Sequence, residues 1–124
     1  MADSTTKLLL IVCFLVLISH GYGDIPHCSI KNLSVKQAQT GVKVQGKPQW
    51  KVTISNTCCV QGDVKVDCRG FQTVEKIDPD VLKVEGDACL VNNGNVIYED
   101  PVIFTYAWDR SFPLTPISSQ VSCS

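Results

Sequence analysis

Six cysteines that follow an apolar leader constrain this chain more than any other feature. They are Cys28, Cys58, Cys59, Cys68, Cys89 and Cys123. An even number of cysteines in a chain that enters an oxidising compartment is typical of a disulfide framework, whereas reactive or metal-binding cysteines are typical of reduced compartments. The sequence therefore predicts three disulfides in a small exported domain, with no bound metal and no cofactor.

The first 23 residues have the pattern of a secretory signal peptide. Lys7 provides a positive charge, Leu8–Ile18 is an uninterrupted apolar run, and the small residues Gly21 and Gly23 suit a cleavage site. The apolar run is shorter than the roughly 20 residues that a membrane-spanning helix needs. We expect cleavage between Gly23 and Asp24, secretion, and no membrane attachment of the mature protein.

Residues 24–124 have the size of one domain, and we expect a single cysteine-rich domain there. A domain this small buries a limited share of its surface, so that disulfides worth roughly 2 to 4 kcal/mol each are important to its stability. Cleavage would remove Cys13 together with Asp3 and Lys7, which leaves ten basic and eleven acidic residues. The absence of a run of like charges argues against a nucleic-acid partner.

Apolar and polar residues alternate in short bursts along the mature chain. The clearest bursts are Trp50, Val52 and Ile54; Val64, Val66 and Cys68; and Phe104, Tyr106 and Trp108. A period of two is typical of strands with one buried face. Further strands are predicted at Ser29–Val35, Thr73–Ile77, Val81–Val84 and Ser119–Cys123. Seven or eight short strands at this spacing predict an all-β fold, a disulfide-stabilised antiparallel β-sandwich.

Turn residues separate the predicted strands. Gln61–Asp63 is a predicted turn, and the pair Asn93 and Gly94 is the best candidate for a hairpin, because Gly and Asn tolerate positive φ. The polar stretch Gln37–Pro48 predicts a long loop, interrupted at most by a short edge strand at Val42–Val44.

The pairing of the cysteines is only partly constrained by the sequence. A bond between the neighbours Cys58 and Cys59 would require a strained ring, because their Cα atoms cannot adopt the preferred separation. We expect one of these two cysteines to join Cys68 across the predicted turn at Gly62. The other is expected to reach a terminal segment through Cys28 or Cys123.

The sequence offers little for catalysis. His20 lies in the predicted leader, which leaves His27, close to the mature N-terminus, as the remaining imidazole for nucleophilic or acid–base chemistry. The available carboxylate pairs are Asp78 with Asp80 and Glu99 with Asp100. Both pairs lie in turn sequences, where solvated acids are usual. We expect no enzymatic activity.

Arginine and aromatic residues in two segments indicate a protein-binding surface. The candidate contact residues are Arg69, Phe71, Trp108, Arg110 and Phe112. Arginine and aromatic side chains dominate the energetics of protein interfaces. The alternative for Phe71 and Trp108 is a place in the core, which the small number of large apolar residues in this domain favours. A separate signal is the sequon at Asn32, which predicts a glycan there.

Several sequence blocks, in a fixed order, resemble a known family. They are CS at 28–29, WxVxIxNxC at 50–58, VxCxGF at 66–71, DxCLVN at 87–92, FxYA at 104–107, PL at 113–114 and VxC at 121–123. This order resembles the tapetum-determinant type of small secreted plant proteins. The resemblance implies a hormone-like ligand that acts in the apoplast, binds the ectodomain of a leucine-rich-repeat receptor kinase and controls cell fate in the developing anther.

A second interpretation is a carbohydrate-binding or wall-associated module without catalysis. In that case exposed Trp108 and Tyr106 would form the platforms on which sugar rings stack. The two interpretations are distinguished by binding: the first predicts co-precipitation with receptor ectodomains, and the second predicts retention on insoluble wall polysaccharides. Neither interpretation predicts an oligomeric state.

Overall fold

Two antiparallel sheets packed face to face make up the computed structural model, which describes residues 27–123. The strands are β1 Leu33–Val44, β2 Lys47–Asn56, β3 Val60–Asp67, β4 Leu82–Glu85, β5 Ala88–Val91, β6 Val102–Ala107 and β7 Pro116–Ser122. One sheet has the order β1-β2-β6 and the other has the order β4-β5-β3-β7. This architecture confirms the predicted all-β, disulfide-stabilised sandwich. The predicted signal peptide, residues 1–23, lies outside the described residues.

The core lies between the two sheets and follows the predicted alternation. In the first sheet, Val52 pairs with Phe104 and Trp50 pairs with Tyr106, so that their side chains share the inner face. The buried apolar residues of the second sheet and of its flanks include Val64, Val66, Cys68, Leu82, Cys89 and Val91. These residues confirm the period-two bursts that the sequence places on β2, β3 and β6.

The predicted loop at Gln37–Pro48 is wrong, although the edge strand considered at Val42–Val44 is present as the end of β1. β1 runs through to Val44 and pairs with β2, and the chain reverses at Gln45 and Gly46, which both have positive φ. The second half of β1 is polar because β1 is an edge strand and this half is largely exposed. A strand that buries almost nothing carries no period-two signal, and its turn residues then resemble a loop.

Two predicted turns are also wrong. β3 continues through Gln61–Asp63, where a bulge shifts its pairing with β7 and Asp63 adopts a φ of 47°. Residues that tolerate positive φ serve a bulge as well as a turn. Asn93 and Gly94 lie in a 3-10 turn rather than a hairpin, because the chain beyond them bridges from Ile97 to Gln61 instead of pairing with β5.

The predicted strand at Thr73–Ile77 is an irregular segment that crosses the edge of β6. Its contact with that edge consists of the Val74 N–H, which donates to the Ala107 carbonyl at 2.9 Å, and the Ala107 N–H, which donates to the Thr73 hydroxyl at 3.0 Å. The predicted strand at Ser29–Val35 begins with a 3-10 turn and becomes β1 only at Leu33. The strands predicted at 81–84 and 119–123 correspond to β4 and β7.

The three disulfides are Cys28–Cys58, Cys59–Cys123 and Cys68–Cys89. The expected bond from Cys58 or Cys59 to Cys68 is wrong, because β3 does not reverse at Gly62 but carries Cys68 about 30 Å from Cys59. Cys68 instead bonds to Cys89, which follows from the pairing of the neighbouring Val66 with Cys89. The expected disulfide to a terminal segment is confirmed. Cys58 bonds to Cys28 near the N-terminus of the domain, and Cys59 bonds to Cys123 near its C-terminus.

Candidate partner-binding surface

An aromatic cluster closes the end of the sandwich where β3 and β6 finish. The ring centroid of Phe71 lies 5.2 Å from that of Tyr106 and 5.2 Å from that of Phe112. Tyr106 and Phe112 lie 6.0 Å apart. The rings meet at inclined angles, the arrangement that aromatic side chains prefer. The sequence segments around positions 70 and 110 are therefore in contact, as a common binding surface requires.

A buried hydrogen-bond network fixes this end of the fold. The Tyr106 hydroxyl donates to Gln37 Oε1 at 2.6 Å and accepts from the Phe112 N–H at 2.9 Å. The Gln37 amide in turn donates to the Phe112 carbonyl. Burial raises the pKa of Tyr106, because an apolar environment disfavours the phenolate. The segment that carries Arg110 is thus held to β1 and β6 by polar bonds as well as by ring packing.

One of the predicted contact rings is inaccessible to a partner, and a second is only partly exposed. Phe112 is 1% exposed and belongs to the core, so its ring is not accessible to a partner. Phe71 is half-buried and packs against the core, as one of the two alternatives expected. The stacking role considered for Tyr106 in the carbohydrate-binding interpretation is wrong, because that ring is fully buried. The signal was ambiguous because irregular segments such as 108–115 have no period from which burial can be inferred.

Arg69 and Arg110 remain exposed beside the aromatic cluster. The Arg110 guanidinium lies over the Phe112 ring, 4.6 Å from its centroid. Arg69 pairs with Asp67 at 3.0 Å, and this hydrogen bond lowers the pKa of the Asp67 carboxyl. An exposed pair of this kind contributes little to stability. We call the surface formed by Arg69, Trp108 and Arg110 the arginine surface.

An open groove of about 590 Å³ adjoins Trp108. Phe71, the irregular segment 72–77, Leu82 and Val84 form its other walls. The Lys47 ammonium lies 5.1 Å from the Trp108 ring centroid and pairs with the Asp109 carboxylate at 2.8 Å. Trp108 is half-buried, so one part of its ring packs against the core and another faces the groove. The sequence interpretation missed the part that segment 72–77 plays, because it assigned that segment to a strand.

The other residues considered for chemistry lie at the start of the described chain and in turns or bends. His27 is exposed at the start of the described chain, and Asp78 accepts a hydrogen bond from the Asp80 N–H at 2.9 Å, as a turn residue does. Sulfurs of Cys28, Cys59 and Cys123 approach within 4.8 Å of one another. These sulfurs belong to disulfides, whereas metal binding by cysteine requires thiolates.

Asn32 lies at the end of the first 3-10 turn, where its Oδ1 accepts a hydrogen bond from the Ser29 N–H at 2.9 Å. The residue is half-buried, and its position precedes β1 rather than falling within a strand. The glycan at Asn32 stays a prediction.

The described residues therefore form a small cysteine-rich β-sandwich with an arginine surface at one end. Within residues 27–123, the structure contains no helix long and apolar enough to cross a membrane. A family model described as tapetum determinant 1, C-terminal, matches residues 29–124. The chain belongs to the tapetum determinant 1 family.

One curated relative is the TPD1 protein homolog 1B of rice, Oryza sativa subsp. japonica. The two sequences are 32% identical over 91 residues, which cover 70% of this chain and 54% of the relative. The chain thus spans about half the length of this relative. No solved structure matches the chain. A disulfide-rich domain of this family is consistent with a secreted protein.

Proposed function

We propose that this protein is a secreted signalling ligand of the plant apoplast, without catalytic activity. It binds the ectodomain of a leucine-rich-repeat receptor kinase through the arginine surface and thereby takes part in cell-fate specification of the anther type. Family membership supports the signalling class. The observation that supports the location of the site is the exposed Arg110 guanidinium over Phe112, with Arg69 and Trp108 at the same end of the sandwich.

The rigidity of this end supports the proposal. Arg110 lies between Trp108, whose carbonyl accepts a bond from the Trp50 indole at 3.2 Å, and Phe112, which is bonded to Tyr106. The loop therefore presents its arginine from a fixed backbone. A surface that is ordered before binding loses little conformational entropy in the complex. The concave face of a leucine-rich repeat suits a compact and rigid partner of this kind.

The positive charge of the arginine surface determines which receptor side chains can bind it. Within residues 27–123, Arg110 makes no ion pair, whereas Arg69 already has Asp67 as its partner. Arg110 is consequently the side chain with most to gain from a carboxylate on the receptor. Trp108 and the adjoining groove would accept an apolar side chain at the centre of the interface.

The test uses the purified, oxidised protein and a panel of receptor-kinase ectodomains in a binding assay. We expect Arg110→Ala to fold normally and to weaken binding about tenfold, which corresponds to the loss of an interface contact worth about 1.4 kcal/mol. The matched control is Lys83→Ala, which removes a charge from an exposed position on β4. Unchanged binding by Arg110→Ala contradicts the assignment of the surface, and failure of every ectodomain to bind contradicts the receptor-ligand function.

A parallel assay addresses the absence of catalysis and the carbohydrate alternative. The same protein is incubated with insoluble wall polysaccharides and with a panel of hydrolase and transferase substrates. We expect neither retention on the polysaccharides nor product above the blank. Retention that is lost in Trp108→Ala would instead support the carbohydrate-binding module.

A further inference from the structure

We infer that the opposite end of the sandwich carries a second docking site, which binds a basic and apolar segment of a partner protein. The site is the surface of Val96, Tyr98 and Ile103, bordered by Glu99 and Asp100. We call this surface the Tyr98 platform. It is separate from the arginine surface, and the inference does not depend on the proposed receptor.

The platform is an exposed apolar surface. Val96 and Tyr98 are each 58% exposed and Ile103 is 50% exposed. All three line one groove of about 450 Å³, together with Pro101 and the carboxylates. Large apolar side chains that are exposed side by side, with a polar rim, are typical of interaction sites, whereas isolated ones are common on any surface.

A buried residue holds the platform in place. Ile97, which is 1% exposed, lies between Val96 and Tyr98, and the alternation of an extended chain turns these two neighbours outward. The Ile97 N–H donates to the Gln61 carbonyl at 2.7 Å, and the Ile97 carbonyl accepts from the Gln61 N–H at 3.2 Å. The Asn56 amide donates to the same carbonyl at 2.9 Å.

The residues that hold Ile97 are themselves fixed near the disulfides of the two terminal segments. Asn56 also donates to the Cys59 carbonyl at 2.8 Å, and Cys59 is bonded to Cys123. The fully buried Gln61 side chain donates to Asn56 Oδ1 at 3.0 Å and to the Ser29 carbonyl at 2.9 Å. The outward position of Tyr98 is therefore determined before any partner arrives, which reduces the entropic cost of binding.

Close packing beneath the platform adds to this rigidity. A Cβ atom added at Gly62 would lie 3.2 Å from Val96 Cγ1. The backbone of β3 thus lies close to the Val96 side chain, which a Cβ atom at position 62 would displace by a few tenths of an ångström. Exposed apolar side chains on a closely packed backbone are typical of an interface that is ordered before binding.

The charges around the platform select the partner. Glu99 and Asp100 are exposed, and neither carboxylate makes an ion pair within residues 27–123. Among the described residues, none that lines the groove is basic. A second copy of the protein, docked through the same surface, would bring these acids together at a cost of repulsion. A partner segment with lysine or arginine beside an apolar residue would instead complement both features.

The distance between the two sites permits both to be occupied at once. Ile103 lies near the start of β6 and Trp108 follows its end. Five residues of extended strand place them about 17 Å apart. The platform is acidic at its border and the other end of the fold presents arginines, so the two surfaces favour partners of opposite charge.

The test is an NMR titration of the oxidised, ¹⁵N-labelled protein with a short synthetic peptide of alternating leucine and lysine. A peptide of alternating leucine and glutamate is the control. We expect chemical-shift changes centred on Val96–Ile103 with the lysine peptide and much smaller ones with the glutamate peptide. Equal responses to both peptides, responses centred elsewhere, or no response at all overturn the inference.

Two variants test the residues, each with a matched control. We expect Tyr98→Ser and Glu99→Lys each to raise the dissociation constant of the lysine peptide about five- to tenfold. The controls are Val42→Ser, at a site 52% exposed, and Glu85→Lys, at an exposed site on β4; both should bind like the wild type. Equal losses in variants and controls overturn the inference, as do concentration-dependent platform shifts without peptide, which would indicate self-association.

Discussion

The hydroxyl of Tyr106 accepts a hydrogen bond from the backbone N–H of Phe112 at 2.9 Å, deep in the end of the sandwich. The same hydroxyl donates to Gln37, which connects the loop after β6 with β1. Arg110 and Trp108 lie in that loop, which connects β6 to β7. A phenol inside the core therefore determines where the arginine surface lies.

Removal of this hydroxyl should destabilise the protein. Tyr106→Phe leaves the Phe112 N–H and Gln37 Oε1 without their partner in a buried site, and we expect the free energy of unfolding to fall by about 1 to 3 kcal/mol. Denaturant unfolding of the oxidised protein measures this loss. The matched control is Tyr98→Phe at a site 58% exposed, which should change stability by less than about 0.5 kcal/mol. Equal effects of the two variants would contradict the role assigned to Tyr106.

The same phenol should make stability depend on pH in the alkaline range. Burial raises the pKa of Tyr106 above its ordinary value of 10.0, so the unfolded chain loses this proton before the folded protein does. The contribution of Tyr106 is fully present below pH 10 and falls as the pH rises through its folded pKa. We expect the difference in unfolding free energy between wild type and Tyr106→Phe to shrink above about pH 10. A difference that grows with pH would contradict this prediction.

The disulfides should differ in their resistance to reduction. Cys68 and Cys89 are 2% and 0% exposed, whereas Cys123 lies on the surface. A reductant must reach the sulfur that it attacks, so limited reduction should open Cys59–Cys123 well before Cys68–Cys89. Alkylation followed by peptide mapping identifies the order. Modification of Cys68 or Cys89 ahead of Cys123 would show that the core disulfide is more accessible than its burial indicates.

Gly94 should tolerate a side chain less well than Gly41. Both residues have positive φ, at 79° and 88°, but a Cβ atom at Gly94 would lie 3.0 Å from Asp63 Oδ1, whereas the space around Gly41 is open. Gly94→Ala should therefore lose about 1 to 2 kcal/mol of stability, and Gly41→Ala about half as much. Thermal unfolding of the two variants tests the difference. A larger loss for Gly41→Ala would contradict the tight contact between Asp63 and the turn.

The sequence was informative where one face of a strand is buried. Val52 and Ile54 alternate with polar residues, because β2 is covered on one side, and this pattern predicts both the strand and its inner face. The outer half of β1 buries almost nothing and therefore gives no such pattern. The Cys68–Cys89 disulfide depends on the register between β3 and β5, which no local sequence signal encodes.

The sequence predicted which segments form the candidate site, but it did not predict which of their side chains are exposed. The two segments around Arg69 and Arg110 do meet, yet Phe112 turns inward because it fills the space beside Tyr106. The Tyr98 platform was missed altogether. Its signal is present, since Val96 and Tyr98 flank Ile97 at period two, but the adjoining turn residues suggested a hairpin strand rather than an exposed surface.

Hydrogen exchange of the oxidised protein, measured with and without a receptor-kinase ectodomain that it binds, tests the proposed function most directly. Amides protected in the complex report the surface that the receptor covers. The account predicts protection of residues 69–71 and 108–112, with residues 120–122 of β7, which pair with the start of β3 at the other end of the sandwich, unaffected. Protection confined to β4 and β5, with residues 69–71 and 108–112 exchanging as in the free protein, would contradict it.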